Sequence, residues 1–191
     1  MTKHHDSVGH LLSEWERERP DLDPSPVGIQ GRIVRLSAHL LREAESYLGE
    51  LNLSWEAFSL IVTLRRSGKP YQLRPTDILR ESLLTSGAIT NRIDRVERMG
   101  LIERRPDAED RRSYVIRLTP AGKKLADKAI ATHFAVTDEF LNVLSSQERV
   151  QLAGLLSKLL GSFEGRSGQS RSETGRTRLT ESGQTARGMQ R

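Results

Sequence analysis

The chain has no cysteine. Disulfides, thiolate metal sites and a cysteine nucleophile or redox switch are therefore excluded, and a reducing cytosol fits. No apolar run approaches the roughly 20 residues of a membrane span. No signal-peptide apolar region follows the start, so the expectation is a cytoplasmic protein. Five histidines stand at positions 4, 5, 10, 39 and 133, without ligand spacing beyond the His4–His5 pair, which reads as part of a floppy terminus. No nucleophile constellation and no phosphate-binding glycine loop is present. An enzyme is not expected, nor a metal or cofactor. Internal repeats are also absent.

What is present is 191 residues, 36% apolar and 29% charged, enough for one domain or one domain with extensions. Such a core is not large. Two long apolar helices meeting a second copy of themselves would compensate. Net charge is +5 and the pI is near 9.9. Six Arg against three Glu in 164–191 supply +3 of that charge. The basic balance is thus partly a property of the tail. A case for nucleic acid rests on where the arginines sit.

Asp6–Arg19 reads as a helix, with Val8, Leu11, Leu12 and Trp15 at i, i+3, i+4 and i+7. Pro20, Pro24 and Pro26 break it. A long helix follows from Pro26 to Leu51, with Ile29, Ile33, Leu36, Leu40, Ala44, Tyr47, Leu48 and Leu51 on one side. Ser54–Arg66 is a third helix, with Phe58, Ile61 and Val62 inward. Pro75 to about Leu84 is short and helical. Thr85-Ser86-Gly87 forms a turn and N-cap region, the helix Ser86–Met99 follows, and Gly100 caps its end. Strands are expected at Leu101–Arg105 and Arg112–Leu118, the second alternating Tyr114, Ile116 and Leu118 with Ser113, Val115 and Arg117. Pro120 starts a helix to about Leu144. Ser145 and Glu148 suit a capping box for a last helix ending near Phe163, with Leu152, Leu155, Leu156, Leu159 and Phe163 as its apolar stripe. After Glu164 the composition turns to Gly, Ser, Thr, Arg and Gln, and a disordered basic tail is expected.

A helix followed at once by a small basic hairpin is the layout of a winged helix, a fold that reads duplex DNA. Advancing about 100° per residue along Ser86–Met99, Ile89, Ile93 and Val96 form one stripe, while Asn91, Arg95 and Arg98 point away from it. Arg92 falls at the border, either snorkelling or paired inside a pocket. Gly87 faces outward and permits close backbone approach. Ser86 and Thr90 flank this face near the helix N-terminus, where an anion is favoured. Asn and Arg pair well with adenine and guanine edges in the major groove. In the turn Pro106–Arg112, Arg111 is expected to reach a narrow minor groove. Arg112 is expected to pair with Asp107 or Asp110. The competing readings are a solvated helix face and an exposed hairpin turn with weak surface pairs.

The run TSGAITNRIDRVERMGLIERRPDAEDRR (85–112), with the LTPAGKKL (118–125) that follows, resembles the MarR family of winged-helix transcription regulators. The likeness covers about Ile33 to Phe163. It implies a mainly α fold with a small β-hairpin wing: dimerisation helices at 26–52 and 120–163, a DNA-binding lobe at 54–119, and a homodimer with interlocked first and last helices. Two winged lobes would straddle a pseudo-palindromic operator of double-stranded DNA, with half-sites roughly 10 bp apart. Trp15 on an added helix in 1–25, then RERPDLDPSP, then WEAFSLIVTLRRSG, is similar to the urate-responsive branch that includes PecS-like regulators. The ligand set implied by that likeness maps to Trp15, Arg92 and Arg104, with Ser59 where the branch commonly has Asp. Losing that carboxylate disfavours urate and favours a ligand whose own carboxylate pairs with the two arginines. Trp15 reads equally as an aromatic anchor for the extra helix, and Arg104 as a strand-edge charge.

The expectation is therefore a sequence-specific regulator, a homodimeric repressor released by a small anionic or aromatic ligand. The alternative is a regulator without a ligand, controlled by its level, by protein partners or by the tail. A pure interaction module is disfavoured by the basic hairpin. His10, His39 and His133 are either pH sensors or satisfied structural groups.

Overall fold

A computed structural model describes residues 6–81, 89–110 and 112–181. Among these residues it is mostly helical, with α1 (Ser7–Glu18), α2 (Ser25–Gly49), α3 (Trp55–Arg66), α4 (Pro75–Glu81), α5 (Ile89–Arg98), α6 (Pro120–Phe140) and α7 (Ser146–Glu181). The strands are β1 (Gln72–Leu73), β2 (Ile102–Pro106) and β3 (Tyr114–Leu118). They form one antiparallel sheet in the order β1-β3-β2. The chain divides into two compact units at Val136/Thr137, within α6.

The elements begin and end where side chains satisfy exposed backbone groups. Asp6 caps α1, its carboxylate accepting the Gly9 N–H at 2.7 Å, and also takes the Arg32 guanidinium of α2 at 2.9 Å. Val8 and Leu12 of α1 pack onto α2 where it has no side chains. A Cβ added at Gly28 would lie 2.8 Å from Leu12 Cδ1, and one at Gly31 would lie 3.1 Å from Val8 Cγ1. Ser54 caps α3 by accepting the Ala57 N–H. The expected capping box of α7 is present: the Glu148 carboxylate accepts from the Ser145 N–H at 2.8 Å, and the Ser145 hydroxyl accepts the Glu148 N–H. That last helix continues to Glu181, past the Phe163 end expected from the apolar stripe and across the start of the expected disordered tail. Extending a nucleated helix adds one bond for each residue fixed, so loss of an apolar stripe need not end it.

The LTPAGKKL segment ties the residue that follows α5 to the first turn of α6. The Thr119 hydroxyl donates to the Gly100 carbonyl at 2.7 Å and accepts the Gly122 N–H at 2.9 Å. Gly122 is obligatory: a Cβ there would sit 1.8 Å from the Leu101 carbonyl oxygen. Gly100 follows α5 with φ +72°, the left-handed conformation that suits glycine.

The core gathers Leu48 of α2, Phe58, Leu60, Ile61 and Leu64 of α3, Ile78 of α4, Ile93 and Val96 of α5, and Ile116 of β3. Much of the α2 stripe is not part of it. Ala44 and Leu48 are buried, but Ile29, Ile33, Leu36 and Leu40 are exposed in the single chain, as are Leu152, Leu155, Leu156, Leu159 and Phe163 of α7. In β3, Val115, Ile116 and Leu118 are buried and Tyr114 is exposed. Tyr114 closes the ladder opposite Pro106, and its ring lies beneath the Arg104 guanidinium at 5.6 Å. Strict alternation therefore fails where the sheet ends. Strand β1 has two residues, below the length at which alternation is readable.

Candidate nucleic-acid interface

Helix α5 buries Ile93 and Val96, half-buries Ile89 and exposes Thr90, Asn91, Arg95 and Arg98. The outward face expected from the helical period is thus the face presented. Ser86 and Gly87, expected at its N-terminal end, lie outside the described residues. Between this face and the start of α3 runs a groove of about 330 Å³, lined by Ser54, Glu56, Ala57, Asn91, Arg92, Arg95 and Val96. Arg92 is half-buried there, at the border position its helical angle implies. The Glu56 carboxylate is held below the usual glutamate range, first by its own backbone N–H and the Ser54 hydroxyl, then by Arg92 and Arg95. With two guanidinium groups against one carboxylate, the groove remains net positive.

The wing is the β2–β3 hairpin. Its ladder stops at Pro106↔Tyr114, and side chains join a few backbone bonds in holding the described part of the loop beyond. Arg111 lies outside the described residues. Arg112 is exposed, and its side chain makes no ion pair among the described residues. The Asp110 carboxylate accepts the Arg112 backbone N–H at 3.0 Å, rather than its guanidinium. The expected partner of Asp107 is corrected too. Its buried carboxylate is paired with Arg74, Nε to Oδ2 at 2.5 Å, and Arg74 Nη2 donates to Glu109 at 2.7 Å. Arg74 reaches the wing because β1 joins the sheet beside β3, a pairing that two residues of sequence do not announce.

Arg104 is engaged on the other side of the hairpin. Its guanidinium pairs with Asp94 and Glu97 of α5 and stacks over Tyr114. These contacts raise its pKa, Asp94 contributing most.

A second concavity, of about 350 Å³, lies on the opposite chemistry of the same helix α3. Trp55, Phe58, Ser59, Val62 and Thr63 line one wall, Ile130, His133 and Phe134 another, and Arg66 and Glu81 stand among the lining residues. His133 sits 5.1 Å from the Phe58 ring and 6.0 Å from Trp55, and its Nδ1 meets the Tyr47 hydroxyl. Burial pushes the His133 pKa down. The four residues of the expected ligand set are not brought together. Ser59 lines this cavity, Arg92 lines the polar groove, Arg104 is ion-paired within the wing base, and Trp15 on α1 is 49% exposed. Val8 and Leu12, rather than Trp15, anchor α1. The roles of Tyr47, His133 and Arg74 could not be read from the sequence. An inward tyrosine was visible in the α2 period, but its partner 86 residues away was not.

No group of His, Asp or Glu among the described residues is arranged to hold a metal ion. No described helix is long and apolar enough to cross a membrane.

A family model described as the MarR family matches residues 53–114. The transcriptional regulator PecS of Dickeya dadantii is 32% identical over 152 residues, covering 80% of this chain and 92% of PecS. Among solved structures, the organohalide-sensing regulator RdhR-CbdbA1625 in its 2,4-dichlorophenol-bound form shares the fold with a TM-score of 0.66 at 21% identity, over 74% of this chain and 82% of that one. The S. aureus MepR–DNA complex aligns with a TM-score of 0.62 at 26% identity, over 69% and 96% of the two chains.

Proposed function

Because the chain belongs to the MarR family of transcriptional regulators, whose members are DNA-binding regulators and not enzymes, we propose that it is a homodimeric repressor. It binds a pseudo-palindromic duplex operator and is released by a small aromatic or anionic ligand. The observation that carries the reading is the outward row of Thr90, Asn91 and Arg95 on α5, beside a net-positive groove and an exposed Arg112. In the major groove, Asn91 suits adenine and Arg95 suits guanine. Ser86 and Gly87 would stand at the phosphate end of this face, and Arg111 with Arg112 would extend contact into the flanking minor groove. MepR, related in fold and sequence, is solved on DNA.

The dimer is supported by the two exposed apolar stripes, on α2 and on α7. Contiguous apolar surface of this kind marks an interaction site, and homodimers are typical of the family. The ligand is supported by the cavity of α3 and α6, whose aromatic walls and buried Ser59 and Thr63 suit a small planar molecule. Trp15, Ser59, Arg92 and Arg104 remain the residues proposed from the resemblance. Arg92 shares α5 with Asn91 and Arg95, so a ligand that displaces it would shift the reading face. Such coupling is typically about 1–3 kcal/mol. One observation favours regulation without a ligand at that set: Arg104 is already neutralised by Asp94 and Glu97.

A footprint of the full chain on DNA flanking its own gene tests this reading. It should be repeated with urate, phenols and aromatic carboxylic acids. Protection in two segments about 10 bp apart is expected, with release by an aromatic or acidic compound but weak release by urate. Protection that no compound relieves would leave the ligand-independent regulator. Absence of protection on any duplex would sink both.

A further inference from the structure

The wing is tethered from outside its own hairpin. We propose that Arg74 is a positioning residue for DNA binding: by holding Asp107 and Glu109, it sets the wing loop in place to meet the duplex. The inference rests on the proposed reading of the hairpin as a DNA-contacting wing.

Three features of the geometry support it. First, the sheet gives out before the loop begins. The last ladder pair is Pro106↔Tyr114, so the described residues 107–110, 112 and 113 lie beyond the strand ladder. Second, Arg74 is fixed at both ends of its own backbone. It follows β1, which pairs with β3 through Gln72↔Arg117 and Leu73↔Ile116. Its carbonyl accepts the Asp77 and Ile78 N–H groups at 3.0 Å, at the start of α4. The guanidinium is therefore presented from the scaffold that also carries the helices of the reading head. Third, the tether is passed on through the loop. Asp107 Oδ2 takes Arg74, while Oδ1 accepts the Glu109 N–H at 2.9 Å. The Asp107 N–H donates to the Ser113 carbonyl at 3.1 Å, and the Ser113 N–H to the Asp110 carbonyl at 2.9 Å. From Arg74 to Ser113 the hydrogen bonds are continuous, and Arg112 lies within that span.

The Asp107 side chain is only 5% exposed. Removing Arg74 would leave that carboxylate buried without its counter-ion, a state resolved by opening the loop to water. A loop already ordered loses less freedom on meeting DNA than one that must be ordered there. Arg74 also keeps the Asp107 and Glu109 charges from facing phosphate unpaired.

The test uses the full chain and a duplex it selects from a random pool. Arg74→Ala is expected to bind roughly tenfold more weakly, with the slope of log K against log salt smaller by about 0.9 for each flanking phosphate that the wing no longer neutralises. Hydroxyl-radical protection of the flanking minor groove should fade while protection at the major-groove centre remains. Amide exchange at 107–113 in the free protein should accelerate. Arg74→Lys, which keeps a donor for Asp107, should recover most of the affinity. The decisive measurement is a cycle with the tip variant Arg111→Ala/Arg112→Ala. If Arg74 acts through the wing, its removal costs little once the tip is gone. Additive effects, or unchanged amide exchange, would overturn the positioning role and make Arg74 a direct phosphate ligand or a screening charge. A tip variant that binds as well as the parent would overturn the wing reading itself. Failure to select any duplex would remove both. If Arg74→Ala unfolds, Arg74→Gln carries the same cycle.

Discussion

Helix α3 faces two concavities of nearly equal size and opposite chemistry. The one of about 330 Å³ at its N-terminal end is walled by Glu56, Asn91, Arg92 and Arg95. The one of about 350 Å³ along its flank is walled by Trp55, Phe58, Val62, Ile130 and Phe134, with the His133 pKa pushed down by burial. Volume does not separate them. Solvation does. Guanidinium groups at the groove attract phosphate, whereas an aromatic wall rewards a ligand that leaves water. The same twelve-residue helix supplies a cap to the first and a core face to the second. Under the proposed function, DNA reading and ligand sensing would both border this one helix.

The sharpest break in that comparison is Phe58→Ala. Phe58 is buried against Trp55 at 5.6 Å and His133 at 5.1 Å. The loss expected is about 3–5 kcal/mol of stability, read by urea denaturation, and no comparable loss should follow changes at Asn91 or Arg95 in the polar groove. Asn91→Ala and Arg95→Ala should each weaken operator binding by about 1–3 kcal/mol while leaving the melting temperature nearly unchanged. A fall in stability of similar size would mean these residues belong to the core after all. Ser54→Ala removes the cap of α3, worth about 1 kcal/mol. Its effect should appear in both functions, because α3 borders both concavities.

The smallest expected effect is pH dependence. The His133 pKa is depressed by burial, so the unfolded chain takes up a proton before the folded one does. The stabilising contribution is complete above the ordinary histidine value, about 6.5, and is lost as pH falls through the lower folded value. Melting temperature should therefore decline on mild acidification, and His133→Gln should flatten that decline. A flat profile in the parent chain would mean His133 is solvated and the cavity is wetter than its lining implies.

Legibility followed the range of the interaction. The Ser145–Glu148 box and the glycine after α5 are contacts within a few residues, and the sequence exposes them directly; the caps Asp6 and Ser54 are equally local and stand at the first residues of the expected helices. Also legible is the division of α5 into a buried stripe and a face of Asn91 and Arg95, because a helix repeats at a known angle. Contacts across the chain were not legible. Arg74 with Asp107 spans 33 residues, Arg104 with Asp94 joins two elements, and Tyr47 with His133 spans 86. The charged turn reads from the sequence as an acid–arginine network, and the structure draws the arginine, Arg74, from outside the turn.

By itself the sequence determined where most helices begin, which face of α5 is outward, and that Gly100 ends α5, but not where α7 stops. These are consequences of backbone sterics and period, which need no partner. Only the tertiary structure decided which arginine holds Asp107, that Arg104 is spent on α5, and that Ser59 and Arg92 open onto different concavities. An ion pair forms with whatever charge the fold brings within reach, and that neighbour is set by packing rather than by spacing along the chain.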